Sequence, residues 1–305
     1  MNSNMRRTMK PLSLIIGMGI GELYRTVLEQ MDHTIVTVDS DANKHADYTT
    51  IEQALADYDQ FNTVHICTPN YTHESIAYLV APKAKIIFIE KPGLITADAW
   101  DKLLDTNPDT RIMMVKNNQY RDEIEELQTL AAASVIVNVN WINHDRVPNP
   151  GTWFTNKELA FGGVSRDLMP HLLSLWIALD YNYDEADRVR KDVRQRWQLT
   201  DITNTNYGVV NKKGVYNVDD YCRLGFFGEE TMWTFTADWR SLNGDDIQIE
   251  FVLDGDKKIS KPLGLCPESA YKKMIETAIA NIDDTEFWND QHYQDQWIHK
   301  KIEKL

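Results

Sequence analysis

Residues 12 to 39 constrain this chain more tightly than any other stretch. They read LSLIIG, then MGIGE, then an apolar-periodic segment from Leu23 to Met31, then HTIVTVD. The first run suits a strand buried on both faces, while Leu23, Val27, Leu28 and Met31 line one side of a helix. Strand, glycine turn, helix and strand in that order make a βαβ unit. Without a Cβ at Gly17 and Gly19 the backbone can turn sharply and let a diphosphate approach the first amides of the helix, whose N-terminal end attracts anions. Met18, Ile20 and Gly21 complete the loop. Asp39 ends the second strand, where a carboxylate can accept hydrogen bonds from an adenosine ribose. Glu22 stands where a G-x-G-x-x-G pattern has its third glycine. Either Gly21 serves in a shifted turn and Glu22 points away, or the carboxylate repels the diphosphate.

The alternation continues downstream. Residues 39 to 50 are short and polar, so the next crossover is reduced to a turn or the next strand is brief. Ile51 to Tyr58 reads as a helix, Thr63 to Cys67 as a strand ending in Thr68, Pro69 and Asn70, and Thr72 as the cap of a helix carrying Ile76, Leu79 and Val80. Lys85 to Ile89 gives another strand, followed at once by Glu90, Lys91, Pro92 and Gly93. Charged residues there lie where open α/β sheets bind ligands, beyond the carboxyl ends of the strands. A helix over Asp98–Leu104 and a strand over Arg111–Val115 complete a doubly wound parallel sheet.

The polar segment 116–122 marks a boundary, giving domains 1–120 and 121–305, with helix 123–133 able to pack on either. Beyond it the pattern changes. Val135 to Ile142 alternates, as do Tyr221–Phe227, Thr231–Trp239 and Ile247–Leu253, and helices follow over Glu268–Ile282 and Asp290–Lys304. The second domain is therefore α+β, a mostly antiparallel sheet with helices on one face. A loop from Asn143 to Asn156 is long enough to cover a site, and Trp153 in it either stacks on a flat ligand or anchors the loop. A helix from Ser165 to Leu179 carries Asp167 and His171 on one face, a spacing that serves chemistry or mere helix stabilisation. Arg188, Arg190, Asp192, Arg194 and Arg196 share one side of an extended segment, a solvated face or subunit contact before an anion site.

A formal charge of −14 works against a polyanionic partner, so nucleic acid is not expected. Three widely spaced cysteines offer neither a disulfide framework nor a zinc knuckle, and no metal site is read. Arg6, Arg7 and Lys10 precede an apolar run as in a leader peptide, but that run breaks at the glycines, meets Glu22 and is needed as the first strand. No stretch reaches the ~20 apolar residues of a membrane span. The expectation is a cytoplasmic protein that self-associates through broad apolar strand faces too large for a few helices to cover.

In this order, Gly17, Gly19 and Asp39, the TPNYTH segment at 68–73 with His73, Glu90–Lys91–Pro92, Tyr120–Arg121, and GGVSRDLMPH at 162–171 resemble the glucose-fructose oxidoreductase, inositol dehydrogenase and MocA-like family across nearly the whole chain. The GMGIGELY loop also looks like that of the thiazolinyl imine reductase branch. The resemblance implies NAD, with NADP second, and hydride transfer at an alcohol or carbonyl carbon of a sugar, polyol or related small metabolite. It implies Lys91, Asp167 and His171 as catalytic residues, with Lys91, Tyr120, Arg121, Trp153, Asp167 and His171 around the substrate. It further implies a cis bond before Pro92 and sheet-mediated pairing of subunits. Ser174 stands where many sugar-active relatives carry another aspartate. A cofactor- or ligand-binding regulatory protein of the same fold, or an imine reductase, are the competing readings.

Overall fold

The computed structural model describes residues 10–305, so Arg6 and Arg7 of the rejected leader lie outside the described residues. Five strands form the first sheet: β1 (Leu12–Ile16), β2 (Thr34–Val38), β3 (Phe61–Ile66), β4 (Ala84–Ile89) and β5 (Arg111–Met114). Their order is β2-β1-β3-β4-β5 with every pair parallel, so the winding reverses between β1 and β3. Ligands of open α/β sheets sit at such a reversal. After β2 the crossover shrinks to a turn at Ala42–Lys44 and a two-turn helix, α2 (Ile51–Asp57), capped by a Thr50–Gln53 box.

Both faces of this sheet are buried, as its apolar runs require. Helices α2, α3 (His73–Val80) and α4 (Ala97–Thr106) cover one face, where Leu14, Val64, Ile87, Ala77 and Trp100 meet. On the other, α1 (Gly21–Gln30) packs beside a helix from the far end of the chain, α9 (Glu268–Ala280). Tyr24, Val27 and Leu28 meet Tyr271, Met274 and Ile275 over Ile15, Ile86 and Phe88. The last helix, α10 (Thr285–Ile302), adds Trp288 to that layer and reaches α4 and β5. Two helices of the segment 121–305 thus also serve the first sheet, and α10 packs equally on α8 through Trp297 against Trp176. Their apolar faces complete the first sheet, a long-range pairing that local periodicity does not reveal.

The second sheet holds β6 (Ser134–Ile142), β7 (Asp187–Arg194), β8 (Tyr221–Phe227), β9 (Met232–Asp238), β10 (Asp246–Leu253) and β11 (Lys258–Pro262) in the order β11-β10-β6-β9-β8-β7. All neighbours are antiparallel except β6 and β9, which run parallel at the centre. Helix α5 (Ile124–Ala132) packs on α8 (Met169–Leu179) in this domain. One sheet face, with Val137, Val139, Phe235, Phe226 and Phe251, is buried, largely under α8 and its Trp176. The opposite face is polar at its centre, with Asn138, Asn140, Arg223, Gln248 and Glu250, and apolar in one row, where Ile136 pairs with Val252 and Met232, and Met232 with Phe227. Ile136 and Phe227 in that row are 37% and 50% exposed, so part of an apolar strand face is uncovered. No described helix is long and apolar enough to cross a membrane.

Candidate active site

The carboxyl ends of β1, β3 and β4 open into a cleft of about 1230 Å³ whose far wall belongs to the second domain. Gly17, Gly19, Ile20 and Asp39 line one end. Gly17 has φ +92°, and a Cβ there would sit 2.7 Å from the Cys67 carbonyl oxygen. A Cβ at Gly19 would meet nothing within 4 Å, leaving that flank of the loop open to a ligand. At Gly21 a Cβ would meet Ile15 Cγ2 at 2.9 Å and Met18 Sδ at 3.3 Å. Gly21 thus performs the close helix-on-strand packing of a third glycine, one position early. Glu22 points away, pairing with Arg25 at 3.4 Å on the exposed side of α1. The backbone N–H of Met18 donates to Asp39 Oδ2 (2.6 Å) and that of Asp41 to Oδ1 (2.8 Å), which aims the carboxylate along the loop and leaves further lone pairs for a ribose.

The chemical end of the cleft is built by two domains. Lys91 follows β4 through Glu90, and its bond to Pro92 is cis. Its ammonium donates to the Asp167 carboxylate and to the Asp167 carbonyl oxygen at 3.1 Å. Asp167 ends a one-turn helix, α7 (Val164–Asp167), and Leu168 and Pro170 break the expected continuous helix before α8. Asp167 and His171 nonetheless line one cleft across the break. The indole N–H of Trp239 donates to Asp167 Oδ2 at 2.9 Å, so Lys91 and Trp239 hold the carboxylate and His171 does not. Asp167 acts on His171 through its charge, which favours the protonated ring, rather than through a hydrogen bond. His171 instead stacks on Trp141 with centroids 6.0 Å apart, and its Nδ1 is buried without a partner.

Charge follows from these contacts. Burial pulls Lys91 down, but the Asp167 carboxylate, reinforced by Glu90, outweighs it and holds the ammonium above its ordinary pKa. Burial works to raise Asp167, and Lys91 and Trp239 reverse it to hold the acid below the carboxylate range. Burial, reinforced by Lys91 and opposed by Asp167, pushes His171 down to about 3. At neutral pH the trio is therefore ammonium, carboxylate and neutral imidazole. Glu90 is raised by burial and accepts a hydrogen bond from the buried Tyr24 hydroxyl at 2.6 Å.

Of the residues singled out in the sequence, Gly17, Gly19, Ile20, Asp39, Thr68, Pro69, Asn70, Glu90, Lys91, Trp153, Asp167 and His171 line the cleft. Others are displaced. Met18 is buried beneath the loop, Gly21 packs on β1, and Pro92 faces a separate small void. His73 is buried with its ring nitrogens 2.9 Å from the carbonyl oxygens of Gly93 and Thr68, a staple between two cleft loops. Tyr120 and Arg121 are not in the lining. Arg121 is spent on Asn118 (2.8 Å), Glu123 (3.1 Å) and the Gly264 carbonyl (2.6 Å), and so positions Asn118, which does line the cleft. Thr72 spends its hydroxyl on Thr68 and Pro69 rather than capping α3. Ser174 donates to the His171 carbonyl at 2.9 Å inside α8 and is 1 % exposed, so it offers nothing to the cleft. Sequence reasoning missed Tyr24, Trp239, Asn117, Arg146 and Tyr207. Trp239 alone had a signal, as the last residue of the alternating run Thr231–Trp239.

Open parallel sheets whose winding reverses in this way bind dinucleotides across the crevice at the reversal. Residues 15–116, the first domain, match the Gfo/Idh/MocA model described as oxidoreductase family, NAD-binding Rossmann fold. An oxidoreductase of Formosa agariphila is 26% identical over 164 residues, covering 49% of this chain and 50% of that protein. The curated relatives are matched over at most half of their length. A levoglucosan dehydrogenase solved with NADH and levoglucosan superposes at a TM-score of 0.69 with 18% identity, covering 96% of both chains. A myo-inositol dehydrogenase of Corynebacterium glutamicum superposes at 0.67 with 14% identity, covering 95% of both. At such identities these two structures establish the fold.

Proposed function

We propose that the chain is an NAD(H)-dependent oxidoreductase that transfers hydride at an alcohol or carbonyl carbon of a sugar, polyol or related small metabolite. The observation that carries this reading is the convergence of Lys91 from one domain with Asp167 and His171 from the other, in the same cleft as Gly17, Gly19 and Asp39. The residues fit a dinucleotide. The open flank at Gly19 suits a diphosphate, and Asp39 suits ribose hydroxyls while repelling a 2′-phosphate. The nicotinamide, when bound, accepts or supplies the hydride.

The protein's own groups handle the proton and the oxygen. In alcohol oxidation neutral His171 accepts the hydroxyl proton, and the Lys91 ammonium stabilises the oxygen as negative charge grows on it. Asp167 keeps that ammonium protonated and fixed, and Trp239 fixes Asp167. In carbonyl reduction the same imidazole would deliver the proton from its protonated form, which burial disfavours. Self-association belongs to the same reading, through the open face of the second sheet with its exposed Ile136 and Phe227; a concentration-independent monomer mass in light scattering counts against it.

Titration with NADH and NADPH, alongside turnover on neutral and acidic sugars and polyols, tests the assignment. NADH should bind more tightly, and Asp39→Ala should weaken NADH more than NADPH. Tighter NADPH binding by the unaltered protein overturns the NAD preference. Cofactor binding with no hydride exchange on any substrate supports the regulatory reading instead.

A further inference from the structure

We propose that the substrate carries an anionic group, a carboxylate or a phosphate, held by Arg146 on the second-domain wall of the cleft. This inference rests on the oxidoreductase reading above and deepens it to a substrate class. Arg146 lines the cleft, yet among the described residues it has no ion pair and no side-chain hydrogen bond; its guanidinium lies 4.9 Å from the centroid of the Tyr207 ring. Carboxylates are not scarce, since the chain has 46 acidic residues against 32 Lys and Arg. Neighbouring arginines use them: Arg240 pairs with Asp145, and Arg196 with Asp220 and Asp238.

Arg146 is also held in place. Beyond β6 the chain stays paired with the segment after β9, and the Arg146 backbone N–H donates to the Trp239 carbonyl at 2.9 Å. Trp239 is the residue whose indole N–H holds Asp167, so one residue links the arginine's backbone to the reacting groups. The loop that carries Arg146 is braided with a second one: Asn149 N–H donates to the Tyr207 carbonyl at 2.9 Å and Asn206 N–H to the Asp145 carbonyl at 2.9 Å. An aromatic platform behind a guanidinium fixes its plane and leaves its edge donors for an oxyanion.

The same cleft also offers unused hydrogen-bonding groups. Trp141 Nε1, His171 Nδ1, Asn117 Oδ1 and Asn118 Nδ2 are buried without partners, and all four residues line it. Such atoms occur elsewhere in the fold too, at Trp100 and Trp233 among others, so the four in the cleft wall add hydrogen-bonding capacity beside Arg146 without selecting a ligand by themselves. Their donors and acceptors suit hydroxyls, and Arg146 supplies the one feature among them that selects an anion.

The test uses matched probes in the presence of saturating NADH: D-glucuronate and D-glucose 6-phosphate, each against D-glucose, read by tryptophan fluorescence and, separately, by turnover with NAD⁺. Wild type should bind at least one anionic probe roughly 10- to 100-fold more tightly than glucose, the range of a charge-assisted bidentate contact. Arg146→Met should abolish that preference while leaving glucose binding unchanged, and Arg146→Lys should restore part of it. Preference for glucuronate alone assigns a carboxylate, and for the phosphate alone a phosphoryl group. Equal binding of charged and neutral probes by wild type, no binding of any probe, or equal losses on both kinds in Arg146→Met, overturns the inference. Anion-selective binding without turnover leaves Arg146 standing and refutes the oxidoreductase reading, whereas turnover without anion selectivity does the reverse.

Discussion

The glycine loop separates binding from packing, and two single-methyl substitutions can show it. In Gly19→Ala the new Cβ meets no protein atom within 4 Å, so the fold has nothing to relieve. Its stability should be unchanged or slightly raised, because alanine narrows the unfolded chain. The methyl group would stand where a diphosphate approaches the helix, so NADH affinity should fall about 10- to 100-fold, equivalent to ~1.4–2.8 kcal/mol. In Gly21→Ala the Cβ meets Ile15 Cγ2 at 2.9 Å and Met18 Sδ at 3.3 Å. Both residues are fully buried, and the β-branched Ile15 in β1 cannot swing aside. Overpacking of this kind costs about 1–3 kcal/mol, which lowers Tm by several degrees. Denaturation midpoints and NADH titrations on the same two variants give the comparison. If Gly19→Ala unfolds as readily as Gly21→Ala, or leaves NADH affinity intact, the division of roles within the loop is wrong.

Other expectations follow from buried charge. Lys116 and Asp295 are both fully buried and paired, tying the inter-domain segment to α10, with Asp295 Oδ2 also accepting the Met114 N–H at 3.0 Å. Lys116→Met alone should cost about 3–5 kcal/mol by stranding the carboxylate, and adding Asp295→Leu should recover much of it; additive losses in denaturant unfolding would contradict this. His299 accepts the Leu94 N–H at Nε2 (2.9 Å) and donates from Nδ1 to the Asp295 carbonyl (2.6 Å), an arrangement only the neutral ring satisfies. Burial, reinforced by Arg166 and Lys116, lowers its pKa to about 4, so its stabilising contribution is complete above the unfolded value of ~6.5 and is lost as pH falls toward 4. Asp295, raised to about 6 by burial, works in the opposite sense, so the readout is the difference between wild type and His299→Gln. Wild type should lose up to ~1.4 kcal/mol per pH unit more than the variant across that window, and parallel curves would refute the assignment. Because His171 is held near 3, alcohol oxidation should show no inflection near pH 6.5 in single-turnover rates.

What the sequence made legible was local. The βαβ unit, the alternating second-domain strands and the charged tip after β4 each follow from periodicity and residue chemistry within a few turns of chain. Gly21 could be suspected of replacing the third glycine, but only the contact with Ile15 shows how. The polarity of the open second-sheet face was visible in Asn138 and Asn140; which helices cover the other face was not. The packing of the C-terminal helices on the first sheet was hidden because their partners there, such as Tyr24 and Phe88, lie far away in sequence. The same distance hid Trp239 behind Asp167 and Tyr24 behind Glu90, and it made Arg121 look like a ligand contact when its bonds to Asn118, Glu123 and Gly264 make it a support. Helical spacing did bring Asp167 and His171 to one cleft, yet it could not show that Lys91 takes the carboxylate and that burial empties the imidazole of its proton.

The most direct test of the central claim is single-turnover hydride transfer in Lys91→Ala and His171→Ala, with cofactor binding measured independently on each. The account predicts NADH binding near that of the unaltered protein and a chemical step slowed by about 10²–10⁴-fold in both variants. Near wild-type rates in both, with the fold intact and substrate bound, would contradict it.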